Sequence, residues 1–276
     1  MVDLENNSKQ EESLLFLHIP KAGGSTLTTI LDKQYQKQEV YKIRELKDLD
    51  ILNNADKKSK NQFKVITGHF PFGLHEDLLQ KCSYITMLRE PTERLISLYY
   101  YIRSSVEHRL HQQIVSKQMT LEEFVSSGIL ETTDNCQTRL ISGQMEVEFG
   151  CASQEMLAMA KDNLQKMAVV GILENFDETL VLIKKNLGWQ DIFYTKKNIT
   201  RSRLSQQEIP QSTLKVIEEY SQLDRELYNY AKGILKQQIA KEQPSFALEL
   251  STFKLLNRSH KMYFDLKAKT KSLVRG

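Results

Sequence analysis

The stretch 14-LLFLHIPKAGGSTLTTIL-31 constrains this chain more than any other. Six apolar-leaning residues, 14–19, alternate too little for a surface strand and read as a buried central one. A proline, a lysine and two glycines break the run. Leu27, Ile30 and Leu31 then recur at helical spacing over about 25–35. A buried strand, a tight glycine turn and a helix start form an anion-binding unit. Gly23 and Gly24 let the backbone turn closely, and the helix presents its first N–H groups and the positive end of its dipole.

The order of the parts narrows the anion. A Walker A loop, GxxxxGK[ST], places lysine after the glycines and next to the hydroxyl that holds Mg²⁺. Here Lys21 precedes them, with Ser25 and Thr26 behind. The strand 83-SYITML-88 runs into Arg89 rather than an acidic metal ligand. A phosphate-type anion held by Lys, Arg and backbone fits better than a triphosphate with Mg²⁺.

A second cationic segment follows in 89-REPTERLISLYYYIR-103. Arg89 stands at a strand end, the ligand-bearing edge of an open α/β sheet. Ser97 lies eight residues on, a little over two helical turns, so both can face one phosphate. A capping ion pair from Arg89 to Glu90 or Glu93 is the alternative. Pro91 suits a first helical turn.

Further strands are predicted at 63–67 and 168–173, with helices at 174–188 and 212–242, a short helix and solvated loop over 45–62, and a helical middle from 106 to 167. Strands alternating with helices specify an α/β fold: three α/β/α layers around a mainly parallel sheet, P-loop-like, with extra C-terminal helices. The expected organisation is one domain over 1–276: a polar arm (1–13), a core holding both anion-binding segments (14–243) and a basic helical tail (244–276). The tail carries seven Lys/Arg from Lys254 onward against Asp265, with Phe253, Tyr263 and Phe264 interspersed. It reads as a solvated helix or as a patch for an anionic polymer or membrane.

Composition excludes several classes. A net charge of +3 does not argue for nucleic acid. The polar, acidic first thirteen residues are unlike a signal peptide, and no apolar run is long enough to cross a bilayer. A cytoplasmic protein is the simplest expectation, with a trimmed Golgi-type domain as the alternative. Cys82, Cys136 and Cys151 form no zinc-ligand pattern and read as thiols, although a Cys136–Cys151 bridge is conceivable. No metal site is expected.

The pair HIPKAGGSTL and REPTERLISLYYYIR resembles the two phosphate-binding loops of sulfotransferases that use 3′-phosphoadenosine-5′-phosphosulfate (PAPS). The likeness is to the carbohydrate group containing the heparan sulfate 2-O- and 6-O-sulfotransferases. It spans roughly 14–235, including 134-DNCQTRLISG-143 and 223-LDRELYNYAK-232. It implies that Lys21 and the backbone of Ala22, Gly23, Gly24, Ser25 and Thr26 hold the 5′-phosphosulfate, while Arg89 and Ser97 hold the 3′-phosphate. His69, in 67-TGHFPFGLHE-76, matches the position of a histidine general base; His75 and Glu76 are the fallbacks. A neutral imidazole near pH 7 suits removal of a hydroxyl proton. The implied activity is in-line transfer of the sulfuryl group from PAPS to a hydroxyl on a glycan or glycolipid, with Lys21 stabilising the departing phosphate. No metal is implied. A nucleotide phosphotransferase and a non-catalytic adenosine-bisphosphate-binding relative are the alternatives. Arg139 and 198-NITRSR-203 are weaker candidates for closing over the cofactor or meeting an acidic glycan, or are solvent-facing.

Overall fold

The computed structural model describes residues 12–195 and 204–274, apart from the side chains of Leu46 and of 265–274. Five strands form one sheet: β1 (Ser13–Leu17), β2 (Val40–Ile43), β3 (Val65–Gly68), β4 (Cys82–Leu88) and β5 (Val169–Ile172). Their order is β2-β3-β1-β4-β5, and every neighbouring pair is parallel. The expected α/β class with a mainly parallel sheet is therefore observed. Leu15, Phe16 and Leu17 are fully buried, so both faces of β1 are covered. Each such side chain contributes about 1.5–3 kcal/mol of transfer free energy.

The helices in chain order are α1 (Gly24–Leu31), α2 (Leu46–Asn54), α3 (Lys57–Lys60), α4 (Pro91–Ser104), α5 (His111–Ser116), α6 (Leu121–Ser126), α7 (Cys136–Ser142), α8 (Gln154–Gln165), α9 (Phe176–Leu187), α10 (Gln211–Glu219), α11 (Gln222–Lys241) and α12 (Ser245–Val274). One apolar core surrounds the sheet. A second, formed by Ile96, Tyr99, Phe124, Ile217 and their neighbours, packs α4 against α5, α6 and α10.

Three expectations change. Strand β2 was not anticipated: at four residues, with Lys42 in it and three residues only half-buried, it is a short edge strand with little pattern to read. The expected loop before β3 contains α3, whose Lys60 is buried and donates to the Asn53 carbonyl at 3.1 Å. The helical stretch expected over 212–242 consists of two helices. The break falls where Asn135 Oδ1 accepts the N–H groups of Leu223 (2.9 Å) and Asp224 (3.1 Å), capping α11 from outside.

Because all strands are parallel, their C-terminal ends share one edge. The chain leaves β1 toward β2 and leaves β4 toward β5, so the connections diverge between β1 and β4. That divergence opens the crevice where ligands bind in open α/β sheets. All three cysteines are free thiols. Among the described residues no helix is long and apolar enough to cross a membrane.

Candidate functional site

The loop after β1 enters the crevice in an uncommon conformation. Lys21 has φ 67°, in the left-handed region that side chains rarely occupy, and Gly23 follows at φ 82°. The turn uses two of its own donors: Ala22 N–H bonds to the Ile19 carbonyl (3.2 Å) and Thr26 N–H to the Gly23 carbonyl (3.1 Å). The N–H groups of Gly23, Gly24 and Ser25 take no acceptor among the described residues. Ala22 and Thr26 are buried, so of the hydroxyls here only that of Ser25 is well exposed. This is a cradle of backbone donors at a helix start.

Strand β4 delivers the second cation. Register pairs Leu17 with Thr86, and carried forward three residues it sets Arg89 level with Pro20. The Arg89 guanidinium donates through Nη1 to the Lys21 carbonyl at 3.0 Å, joining the two loops directly. Its Nη2 meets Glu93 at 3.1 Å, so the ion pair read as an alternative is present as well. Along α4, Glu93, Ser97 and Tyr101 recur at steps of four on one side of the helix. Glu93 touches Arg89 at one end of this stripe. At the other, Lys21 Nζ sits 3.8 Å from the centroid of the Tyr101 ring. Ser97 lies between them, nearly buried, its hydroxyl without a partner among the described residues. Tyr101 was not picked out from the sequence, although its spacing from Ser97 was there to read.

Burial, and then the like charge of Arg89, lower the Lys21 ammonium to a pKa of about 8. Two cations packed beside three unfilled amide donors make a site short of negative charge.

Register also explains the histidines. Leu17 pairs with Gly68, so His18 and His69 are the first residues past one rung and stand side by side, ring centroids 4.5 Å apart. His69 Nδ1 lies 2.6 Å from the His18 carbonyl oxygen. A carbonyl only accepts, so Nδ1 carries the proton and Nε2 is left with a lone pair. The ring is exposed at the cleft wall. Crowding around it lowers its pKa, and the bond to the His18 carbonyl works in the opposite direction. His18 itself is wedged between Phe16 and His69, and burial holds it well below the ordinary histidine value. Its ring lies where a side chain on Gly24 would be: an ideal Cβ there comes 1.7 Å from His18 Nε2. The other two candidates for a base, His75 and Glu76, stand elsewhere, on the turn Leu74–Asp77. The backbone N–H of His75 donates to the Tyr84 hydroxyl and its ring Nδ1 lies 3.1 Å from the same oxygen, while Glu76 is exposed.

Support for Arg89 comes from a distant part of the chain. Gln137, fully buried on α7, accepts the Arg89 N–H at 3.0 Å and donates to the Arg89 carbonyl at 2.9 Å. Asp224 of α11 in turn caps α7, accepting from Gln137 N–H (3.1 Å), Thr138 N–H (2.7 Å) and the Thr138 hydroxyl (2.9 Å). Asn135 caps α11 in return, so the two helices hold each other's first turns. Burial raises the Asp224 pKa, opposed by Arg94 and these bonds. Arg139 belongs to the same framework. It is fully buried, paired with Asp134 and bonded to the Asp134 (3.0 Å) and Glu148 (2.7 Å) carbonyls, so it neither faces solvent nor closes over a ligand. The segment 198–203 lies outside the described residues.

The chain matches the sulfotransferase family over residues 7–231. It is 26% identical to heparan-sulfate 6-O-sulfotransferase 2 of Gallus gallus, over 84% of this chain and 68% of that protein. Against the Homo sapiens protein of the same name the identity is 26%, over 83% of this chain and 45% of the relative. Heparan-sulfate 6-O-sulfotransferase 3 of Mus musculus is 25% identical, over 84% and 59%. The chain thus spans about half to two thirds of the length of these relatives. Among solved structures, mouse sulfotransferase SULT7A1 complexed with PAP aligns at 12% identity and a TM-score of 0.38, covering 78% of this chain and 65% of that one. With the family match covering most of the chain and both cationic loops meeting at one sheet edge, this protein belongs to the sulfotransferase family.

Proposed function

We propose that this protein transfers the sulfuryl group of PAPS to a hydroxyl of a glycan of the heparan sulfate class. The observation that carries the reading is the bond from the Arg89 guanidinium to the Lys21 carbonyl, which makes one polycationic crevice of two loops. Such a crevice suits a ligand with anionic groups at two ends. Lys21 and the N–H groups of Gly23, Gly24 and Ser25 face the 5′-phosphosulfate, and Arg89 with Ser97 faces the 3′-phosphate. Ala22 and Thr26 shape the turn.

PAPS supplies a sulfuryl group on a phosphate leaving group. His69 receives the acceptor hydroxyl proton at Nε2, in the tautomer that the His18 carbonyl imposes. As the sulfur–oxygen bond to the acceptor forms and that to the phosphate breaks, Lys21 and the loop amides stabilise the charge left on the phosphate oxygens. The acceptor class rests on the heparan-sulfate relatives, and the basic net charge of the chain is compatible with an acidic polysaccharide.

Two measurements test this. Thermal shift should show stabilisation by adenosine 3′,5′-bisphosphate and none by ATP–Mg²⁺. Labelled PAPS should then transfer sulfate to desulfated heparan sulfate in preference to small alcohols. Stabilisation by ATP–Mg²⁺ alone would select a nucleotide phosphotransferase. Bisphosphate binding without transfer to any acceptor would select a non-catalytic relative.

A further inference from the structure

Helix α12 turns one side to the protein and the other to water. On the inner side Phe246 and Phe253 are buried, Phe253 stacks on Phe193, and Lys254 meets Glu178 at 2.8 Å. Asn257 accepts the Tyr194 N–H at 2.9 Å. On the outer side Leu248, Leu255 and Met262 recur at steps of seven and are 72%, 65% and 66% exposed. Leu256 and Tyr263, again seven apart, widen the stripe. Of the thirteen large hydrophobic side chains exposed among the described residues, six lie on this one helix. Scattered exposed leucines need no explanation, but a contiguous stripe does.

Charge identifies what the stripe meets. Arg258 is exposed at one border of it and Lys261 is exposed one turn on, and from Lys254 onward the sequence holds seven Lys/Arg against one acid. A second copy pressed along the same stripe would bring these cations together. The heptad partners on the stripe, Thr252 and Ser259, are also poor seam residues for a coiled coil. A soluble polyanion would satisfy the charges but leave three leucines and a methionine in water. A lipid surface with anionic headgroups takes both, the apolar stripe entering the acyl boundary and the cations staying at headgroup level. We infer that α12 is a docking helix for an anionic lipid surface, lying flat on it through Leu248, Leu255, Leu256 and Met262.

Vesicle co-sedimentation of the full chain tests this. Phosphatidylcholine vesicles containing phosphatidylserine should bind the protein about tenfold or more tightly than phosphatidylcholine alone, with the preference reduced by salt. The variant Leu248→Ser/Leu255→Ser/Met262→Ser and the variant Arg258→Glu/Lys261→Glu should each weaken binding by about tenfold or more. Both alter exposed positions, so the unfolding temperature should stay unchanged. Absence of binding to the anionic vesicles overturns the inference. So does equal binding by the leucine variant, which would leave a charge-only polyanion site. Sedimentation velocity showing a dimer that the leucine variant dissolves, with no vesicle binding, assigns the stripe to a second copy instead.

Discussion

The side-chain amide of Gln137 closes on both backbone polar groups of Arg89, accepting its N–H at 3.0 Å and donating to its carbonyl at 2.9 Å. A cation at the tip of a strand is thereby fixed in height and rotation by a residue 48 positions away. Gln137→Ala takes the Gln137 side chain from the half-buried N–H and C=O of Arg89, at a cost of about 1–3 kcal/mol, and releases Arg89 from its position. The expected result is binding of adenosine 3′,5′-bisphosphate weakened by about tenfold, with KM for PAPS rising more than kcat falls. Gln137→Glu keeps the acceptor for the Arg89 N–H and should recover part of the loss. Isothermal titration of the bisphosphate reads both; unchanged affinity in Gln137→Ala would show that Arg89 needs no such clamp.

For His69 the expectation is a separation of binding from turnover. His69→Ala should lower kcat by on the order of 10²-fold or more while bisphosphate affinity stays close to that of the unaltered protein. Steady-state kinetics beside a binding titration distinguishes this from a general disturbance of the loop. Near-normal turnover would transfer the role of base to His75 or Glu76.

The two titrating groups set opposite limbs of a pH profile. In the proposed role His69 is neutral, and its lowered pKa keeps it neutral to below the ordinary histidine range, so activity should be lost only as pH falls through that lowered value. In the proposed role Lys21 is protonated, and with a pKa of about 8 it loses its charge as pH rises through that value. In kcat/KM for PAPS the alkaline limb should therefore lie near pH 8. Saturating PAPS brings negative charge to Lys21 and raises its pKa, so the same limb in kcat should lie at higher pH. Coincident alkaline limbs in the two profiles would remove Lys21 from this role.

Gly24→Ala tests how tightly the loop is packed on the histidine pair. The added Cβ overlaps the His18 ring, which is itself backed by Phe16 and His69, so His18 has to shift and His69 with it. Overpacking of this kind costs about 1–3 kcal/mol, and turnover should fall by about tenfold or more if His69 is the base proposed above. Gly233→Ala on α11 meets nothing within 4 Å and should leave both activity and unfolding temperature unchanged or slightly raise the latter. Equal effects from the two substitutions in calorimetry and assay would contradict the packing argument.

What could be read from the sequence follows the range of the interactions involved. Lys21, Gly23 and Gly24 form a local turn and Arg89 ends a buried strand, so the approach of Arg89 to the Lys21 loop at one sheet edge could be anticipated from local pattern. Tyr101 was legible on the same basis and was missed. Strand β2 offered too few residues to show a period. Gln137 and Asp224 act across 48 and 87 residues through backbone groups, which carry no residue signature. The tautomer of His69 depends on the register of β1 against β3, and pattern alone does not specify register at that precision.

The exchange of caps between α7 and α11 bears on the order in which the protein is built. Every strand of the sheet is complete in the chain by Ile172, as are Lys21, His69 and Arg89. The carboxylate that holds α7 in place, and through it the clamp on Arg89, arrives only with Asp224. During synthesis the sheet can therefore pair, and the first loop can turn, before the Arg89 side of the crevice has its support. A nascent chain that has not yet released α11 carries Lys21, His69 and Arg89 without the means to keep them aligned.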